Sequence, residues 1–226
     1  MVINRNLYKL AQDPVTSLTP VAEVAAVPMV LYVNAGVPAS SFQHLIELIK
    51  MNPGKYSYAS PGSGSPHHLL GELLKNEFAL DMTHIPYTGS GPAITDVIAG
   101  HVQIAFEGTS AIVPHLTSGK VKAIVTTGAS RSSSMPNVPT MKELGHANFV
   151  VTKWYGVFAP ATTPVALVNQ VNAEVRKILK SPEVVEKLVQ MDSMRSDYGT
   201  NEYRQFVTRE VPYWESLVKK TGAKAD

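Results

Sequence analysis

The chain has no cysteine in 226 residues, which excludes disulfides, thiolate metal sites and cysteine nucleophiles and leaves the redox compartment open. Long apolar runs are missing too. No stretch approaches the roughly 20 residues of a membrane span, and Met1 is not followed by the charged-then-apolar pattern of an export signal. Charge of one sign is scarce: 20 Lys and Arg stand against 18 Asp and Glu, a net +2 with no basic block. That balance argues against a nucleic-acid partner or a polybasic membrane patch. A small anion, by contrast, needs only local positive potential. Motifs for chemistry are also absent. No Gly-x-Ser-x-Gly elbow surrounds any serine, the run Gly62 to Ser65 lacks the lysine of a phosphate-binding loop, and no H-E-x-x-H occurs. The expectation is a protein without catalytic residues, metal or cofactor.

What the chain does contain is enough apolar material, 44% of residues, to fill a substantial core. Its most informative stretch is Tyr58-Ala-Ser-Pro-Gly-Ser-Gly-Ser-Pro-His-His68, which runs from a strand pattern through a Ser/Gly turn into a helix. Glycines let backbone N–H groups approach a ligand, and the first helical turn adds unpaired donors and the positive end of the dipole. A carboxylate or phosphate would fit. The alternative is that Ser60, Ser63 and Ser65 cap a helix whose loop needs positive φ at Gly62 and Gly64.

Around this stretch, strands and helices alternate. Pro28 to Val33 reads as a strand, followed by a helix from about Ser41 in which Phe42, Leu45, Ile46 and Ile49 share one face. Ser40 with Gln43 suggests a capping box. Strands over 55–59, 83–87, 102–106 and 121–126 alternate with helices over 66–76, 92–99 and 110–117, which predicts a mostly parallel sheet covered on both faces. Three strand-to-helix loops, Ser60 to Pro66, Thr88 to Pro92 and Glu107 to Ser110, should then open on one edge, where such sheets bind ligands.

Further on, Trp154 to Phe158 reads as a strand leading into a long helix whose apolar face is Leu167, Val168, Val171, Val175, Ile178 and Leu179. A final helix starts near Thr200, taken as its N-cap, and carries Trp214 as a core residue. The segment Ser130 to Pro139 reads as a solvated loop in which Arg131 has a surface role. His68 and Glu72, four apart on a helix, suggest an intrahelical hydrogen bond, not a metal site, and His67 should point elsewhere because adjacent helical residues do not share a face. Glu107 follows a buried-looking strand. It could meet a ligand's ammonium or hydroxyl group, or serve the following helix N-terminus.

These motifs, in order, resemble the solute-binding receptors of tripartite tricarboxylate transporters, the Bug family. The resemblance is carried by Tyr58-Ala-Ser-x-Gly-x-Gly-Ser-x-x-His68-Leu-x-Gly-Glu72, His84-Ile-Pro-Tyr-x-Gly89-x-x-Pro92-Ala, Gly119-Lys-Val-Lys-Ala, Pro136-Asn-Val-Pro-Thr140-x-x-Glu143-x-Gly145, Trp154-Tyr-Gly156-x-x-Ala159-Pro160-x-x-Thr163-Pro164 and Glu210-x-x-x-Trp214. It implies a type II periplasmic-binding-protein-like α/β fold, two lobes joined by crossover strands near Val33 and Tyr155. Lobe 1 would comprise 1–33 and 156–226, with its N-terminal part absent, and lobe 2 would be 34–155. The implied function is extracytoplasmic, periplasmic capture of a small carboxylate for membrane transporter subunits, without chemistry.

Carried onto this chain, the ligand should meet Ser60, Gly62, Ser63, Gly64 and Ser65 on one side, with Thr88, Gly89, Ser90, Glu107, Gly108 and Thr109 lining the rest. Two departures from the family pattern stand out. The chain begins after the family's export signal and first strand and loop, which implies either a fragment or self-association to cover an exposed edge. In addition, His67 replaces a small residue, and Glu107-Gly-Thr109 replaces an Asp-Asn pattern. A second reading shares the two-lobed architecture: the cytoplasmic effector-sensing domain of a LysR-type regulator.

Overall fold

The structure, a computed structural model, describes residues 1–223. Its backbone is organised by one unusually long strand, β1 (Leu18–Asn34), which belongs to two sheets in succession. The first part of β1, Leu18 to Pro28, pairs antiparallel with β6 (Thr152–Pro160). Its second part, Met29 to Asn34, enters a five-stranded sheet of order β3-β2-β4-β1-β5, where β2 is Tyr56–Ser60, β3 Met82–Pro86, β4 Ile104–Gly108 and β5 Val121–Thr126. Strand β2 pairs parallel with β3 and β4, whereas β1 pairs antiparallel with both β4 and β5.

The sheet is therefore mixed, and this corrects the expectation of a mostly parallel one. The strands β2 to β5 all run in one direction, as βαβ alternation requires, and β1 is the reversed member in their midst. It enters from the small sheet and not through a crossover helix, so the handedness rule that forces parallel pairing does not apply to it.

Helices cover both faces. On one face, α2 (Phe42–Met51), α3 (Pro66–Phe78) and α8 (Thr200–Thr221) bury Leu45, Ile49, Leu69, Leu73 and Trp214 against Leu31, Val33 and Phe106 of the sheet. On the other, α4 (Ser90–Ala99) and α5 (Thr109–Leu116) bury Ala93, Val97 and Ile112 against Val30, Tyr32 and Ala105. Successive β1 residues thus serve opposite cores, as the pleat dictates. The expected apolar face of α2 is buried throughout, but its cap is Ser41, whose hydroxyl accepts from His44 N at 3.1 Å. Ser40 instead contacts the His44 ring, and Gln43 reaches Glu47, so there is no Ser40–Gln43 box.

Two further expectations change. Helix α8 is capped at Gly199, whose N–H donates to Glu202, while the Thr200 hydroxyl bonds Asn169 Oδ1 at 2.8 Å. In α6 (Val165–Leu179), Val168 and Leu179 are buried, but Leu167, Val171 and Ile178 are 48%, 37% and 57% exposed, so only part of the apolar stripe meets the β1–β6 sheet. The loop around Arg131 has its expected surface role, with an ion pair to Glu143 at 3.0 Å, although Ser132 and Met135 within that loop are buried.

Candidate functional site

The carboxyl ends of β2, β3 and β4 lie side by side, because these strands are neighbours and point the same way. The loops that leave them are tied together. Tyr87 N donates to Ser60 O at 2.9 Å, and His67 Nε2 lies 2.9 Å from Glu107 Oε1. Antiparallel pairing brings the middle of β1 to the same edge, since Met29 faces Gly108, and β6 follows, since Lys153 faces Val27. Residues distant in sequence therefore meet where β1 passes from one sheet to the other.

The Ser/Gly loop is built rigidly. Gly62 and Gly64 both have positive φ, +135° and +76°, as the loop reading required. Ser65 caps α3 by accepting from His68 N at 3.3 Å, and Pro66 occupies the first turn. Beneath the loop the rings of Tyr58, His68 and His84 stack, with His68 and His84 centroids 4.0 Å apart. Gly71 is required here, because a Cβ would lie 2.1 Å from the Tyr58 ring.

That rigidity takes up three of the loop's backbone donors. Gly64 N donates to His68 Nδ1 at 2.9 Å, Ser65 N to Gly62 O at 3.2 Å, and Gly62 N to the Ser60 hydroxyl at 3.3 Å. Glu72 accepts from the Tyr58 hydroxyl at 2.7 Å and from Lys75 at 2.8 Å, so its main partners lie outside the expected His68 pair.

A cavity of about 590 Å³ opens against this loop. Pro61 to Pro66 form one wall, Thr152 to Trp154, Gly156 and Phe158 of β6 with Trp214 form another, and Met1 to Asn4 with Tyr8 complete the lining. Among the expected ligand residues, Gly62, Ser63, Gly64 and Ser65 line it. Ser60 lies just behind, bonded to His84 Nε2 at 2.7 Å. Thr88, Gly89, Ser90, Gly108 and Thr109 are not on its wall. Thr109 is fully buried, and its hydroxyl has no hydrogen-bond partner among the described residues.

Glu107 is 2% exposed and holds a small charge network together. Its Oε1 takes contacts from His67 Nε2 at 2.9 Å, Lys153 Nζ at 3.1 Å and its neighbour Gly108 N at 2.8 Å. His67 is thus buried in this network and, as expected, points away from His68, which stacks on His84 instead. Both faces of the first turn of α3 are covered, one by the ring stack and one by the end of β4. Burial would raise the Glu107 pKa, but the hydrogen bond and charge of His67, the Lys153 ammonium and a hydrogen bond from Ser90 hold it well below the usual carboxylate range. Burial pulls the Lys153 pKa down, yet the Glu107 carboxylate and the Tyr155 phenol group raise it overall.

Lys153 is the residue that the sequence reading did not single out. Its one signal was a lysine inside a strand of otherwise apolar and aromatic character. Among the described residues no cluster of three His, Asp or Glu side chains could hold a metal ion. Among the described residues no helix is long and apolar enough to cross a membrane.

Comparison with known proteins decides the family. Residues 3–223 match the model of the tripartite tricarboxylate transporter family receptor, TctC. The chain belongs to that family. BugT of Bordetella pertussis is 35% identical over 96% of this chain, and the chain spans 65% of BugT's own length. Among solved structures, the periplasmic binding protein BugD superposes with a TM-score of 0.88 at 32% identity, covering all of this chain and 76% of BugD. A second neighbour, R. palustris Rpa4515 with adipate, gives a TM-score of 0.90 at 30% identity over 98% of this chain and 75% of its own. The type II periplasmic-binding-protein architecture, two lobes joined by crossing strands, is therefore the fold of this TctC member.

Proposed function

We propose that the chain is an extracytoplasmic solute-binding protein that captures a small carboxylate and presents it to the membrane subunits of a tripartite transporter. The observation that carries this reading is the cavity between the Pro61–Pro66 loop and β6, placed where β1 leaves one sheet for the other. Family membership supports it, as does the adipate in a structural relative.

The lobes of the proposal are 1–33 with 156–226, and 34–155. Closure about β1 and β6 would trap the ligand, because a ligand that contacts both lobes favours the closed form by its differential affinity. Gly62, Ser63, Gly64 and Ser65 form one face of the site. The segment Thr88–Ser90 and residues Glu107–Thr109 act from behind, through the Glu107 network. The site performs no chemistry in this reading, and the protein works in the periplasm. Self-association belongs to the same reading, and light scattering checks it. The regulator alternative has no comparable support. Isothermal titration calorimetry against mono-, di- and tricarboxylates tests the proposal, which fails if no carboxylate gives saturable heat.

A further inference from the structure

The cavity wall carries one charged side chain among the described residues, and it is Lys153. The rest of the wall is small, polar, aliphatic or aromatic, with Met1, Val2 and Ile3 beside Tyr8, Trp154, Phe158 and Trp214. The Gly62, Gly64 and Ser65 amides, which would ordinarily help to seat an anion, already bond to groups within the loop or to His68. Recognition of charge therefore falls to the lysine. Its ammonium has three donors, of which Glu107 takes one at 3.1 Å and Tyr155 engages another, and its side chain is still 23% exposed on the cavity side of a buried carboxylate.

We propose that Lys153 is the specificity-determining cation of the site, that Glu107 and His67 position it, and that this wall takes an organic acid with a single carboxylate on an apolar or aromatic body. The proposal rests on the solute-binding reading above and adds the residue and the ligand class. Two features favour one carboxylate over two. No second cationic side chain stands on the wall among the described residues, burial lowers the pKa of the Met1 amine that also lines it, and Glu107 lies directly behind Lys153, so each further negative charge on the ligand meets repulsion from that carboxylate. The aromatic side chains suit a flat apolar body, and the indole N–H groups of Trp154 and Trp214 are both already bonded to Glu210.

The test is calorimetry with benzoate, adipate and malate on the wild-type chain and on Lys153→Met, Lys153→Arg, Glu107→Gln and the double variant Lys153→Met/Glu107→Gln. Wild type binds benzoate more tightly than the two dicarboxylates. Lys153→Met loses about tenfold or more, the cost of a charge-assisted hydrogen bond, and Lys153→Arg recovers most of it. The double variant leaves no unmatched charge beside the cavity, so its folding is secure and its binding stays weak. Glu107→Gln keeps an acceptor for Lys153 but removes a negative charge near the ligand, so benzoate binds several-fold tighter; a merely structural Glu107 predicts a loss.

Unchanged benzoate affinity in both Lys153→Met proteins overturns the role of Lys153. Tighter wild-type binding of adipate or malate than of benzoate overturns the ligand class while the receptor reading stands. No binding of any carboxylate by wild type overturns that reading, and this proposal with it.

Discussion

Lys153 Nζ lies 3.1 Å from Glu107 Oε1, joining a strand of the small sheet to the end of a strand in the large one. The same carboxylate oxygen also meets His67 at the start of α3, so one buried acid ties three elements together at the edge of the cavity. Such a network is costly to break from one side, because the partner left behind is a buried unmatched charge.

The pH dependence of stability follows from this acid. The folded-state pKa of Glu107 lies below its ordinary value of 4.5, so its contribution is present above that pH and is lost as pH falls towards the folded value. Thermal melting from pH 6 to pH 3 is expected to show Tm falling more steeply for wild type than for Glu107→Gln. Parallel curves would show that Glu107 carries no such linkage.

Gly156 is a packing requirement of β6. A Cβ there would lie 1.7 Å from the Tyr203 hydroxyl and 3.0 Å from Ala22 O, and Tyr203 is fully buried. Gly156→Ala is expected to destabilise by about 1–3 kcal/mol, the usual range for overpacking. The Tyr203 hydroxyl has no hydrogen-bond partner among the described residues, so Tyr203→Phe alone should be close to neutral and should recover part of the Gly156→Ala loss. Additive effects in a double-mutant cycle measured by urea unfolding would rule out the contact.

Much of this was legible from local pattern. The buried face of α2, the Ser65 cap and the positive φ at Gly62 and Gly64 all follow from residues within one or two turns of each other. The direction of β1 was not, because it depends on Val30 meeting both Glu107 and Thr126, far along the chain. Lys153 stayed hidden for the same reason: its meaning comes from Glu107, 46 residues earlier. His67 does face away from His68, as helical spacing dictates, but its partner Glu107 was hidden because it lies 40 residues on. The stripe on α6 was read as core because periodicity shows which residues share a face and not what covers it.

Those exposed α6 residues make a prediction opposite in sign to the packing ones. Leu167→Glu and Ile178→Glu should leave Tm within a degree or two of wild type, since surface substitutions are usually within about 0.5 kcal/mol. A drop of many degrees would mean that this face is covered by protein in solution.

Loss of the Ser65 cap should be felt locally. Ser65→Ala removes the acceptor of His68 N and is expected to cost about 1 kcal/mol, or roughly 2–4 °C in Tm for a chain of this size. An unchanged melting curve would show that the first turn of α3 does not depend on the hydroxyl.

The central claim is that the cavity beside the Pro61–Pro66 loop holds a small carboxylate, and filling it is the most direct measurement. Titration calorimetry of the wild-type chain against a panel of mono-, di- and tricarboxylates should give one-site saturable binding for at least one of them. Ser63→Trp, which projects a large ring from the cavity wall, should abolish that binding without lowering Tm. Saturable binding that survives Ser63→Trp unchanged, or a panel that gives no binding at all, would contradict the account.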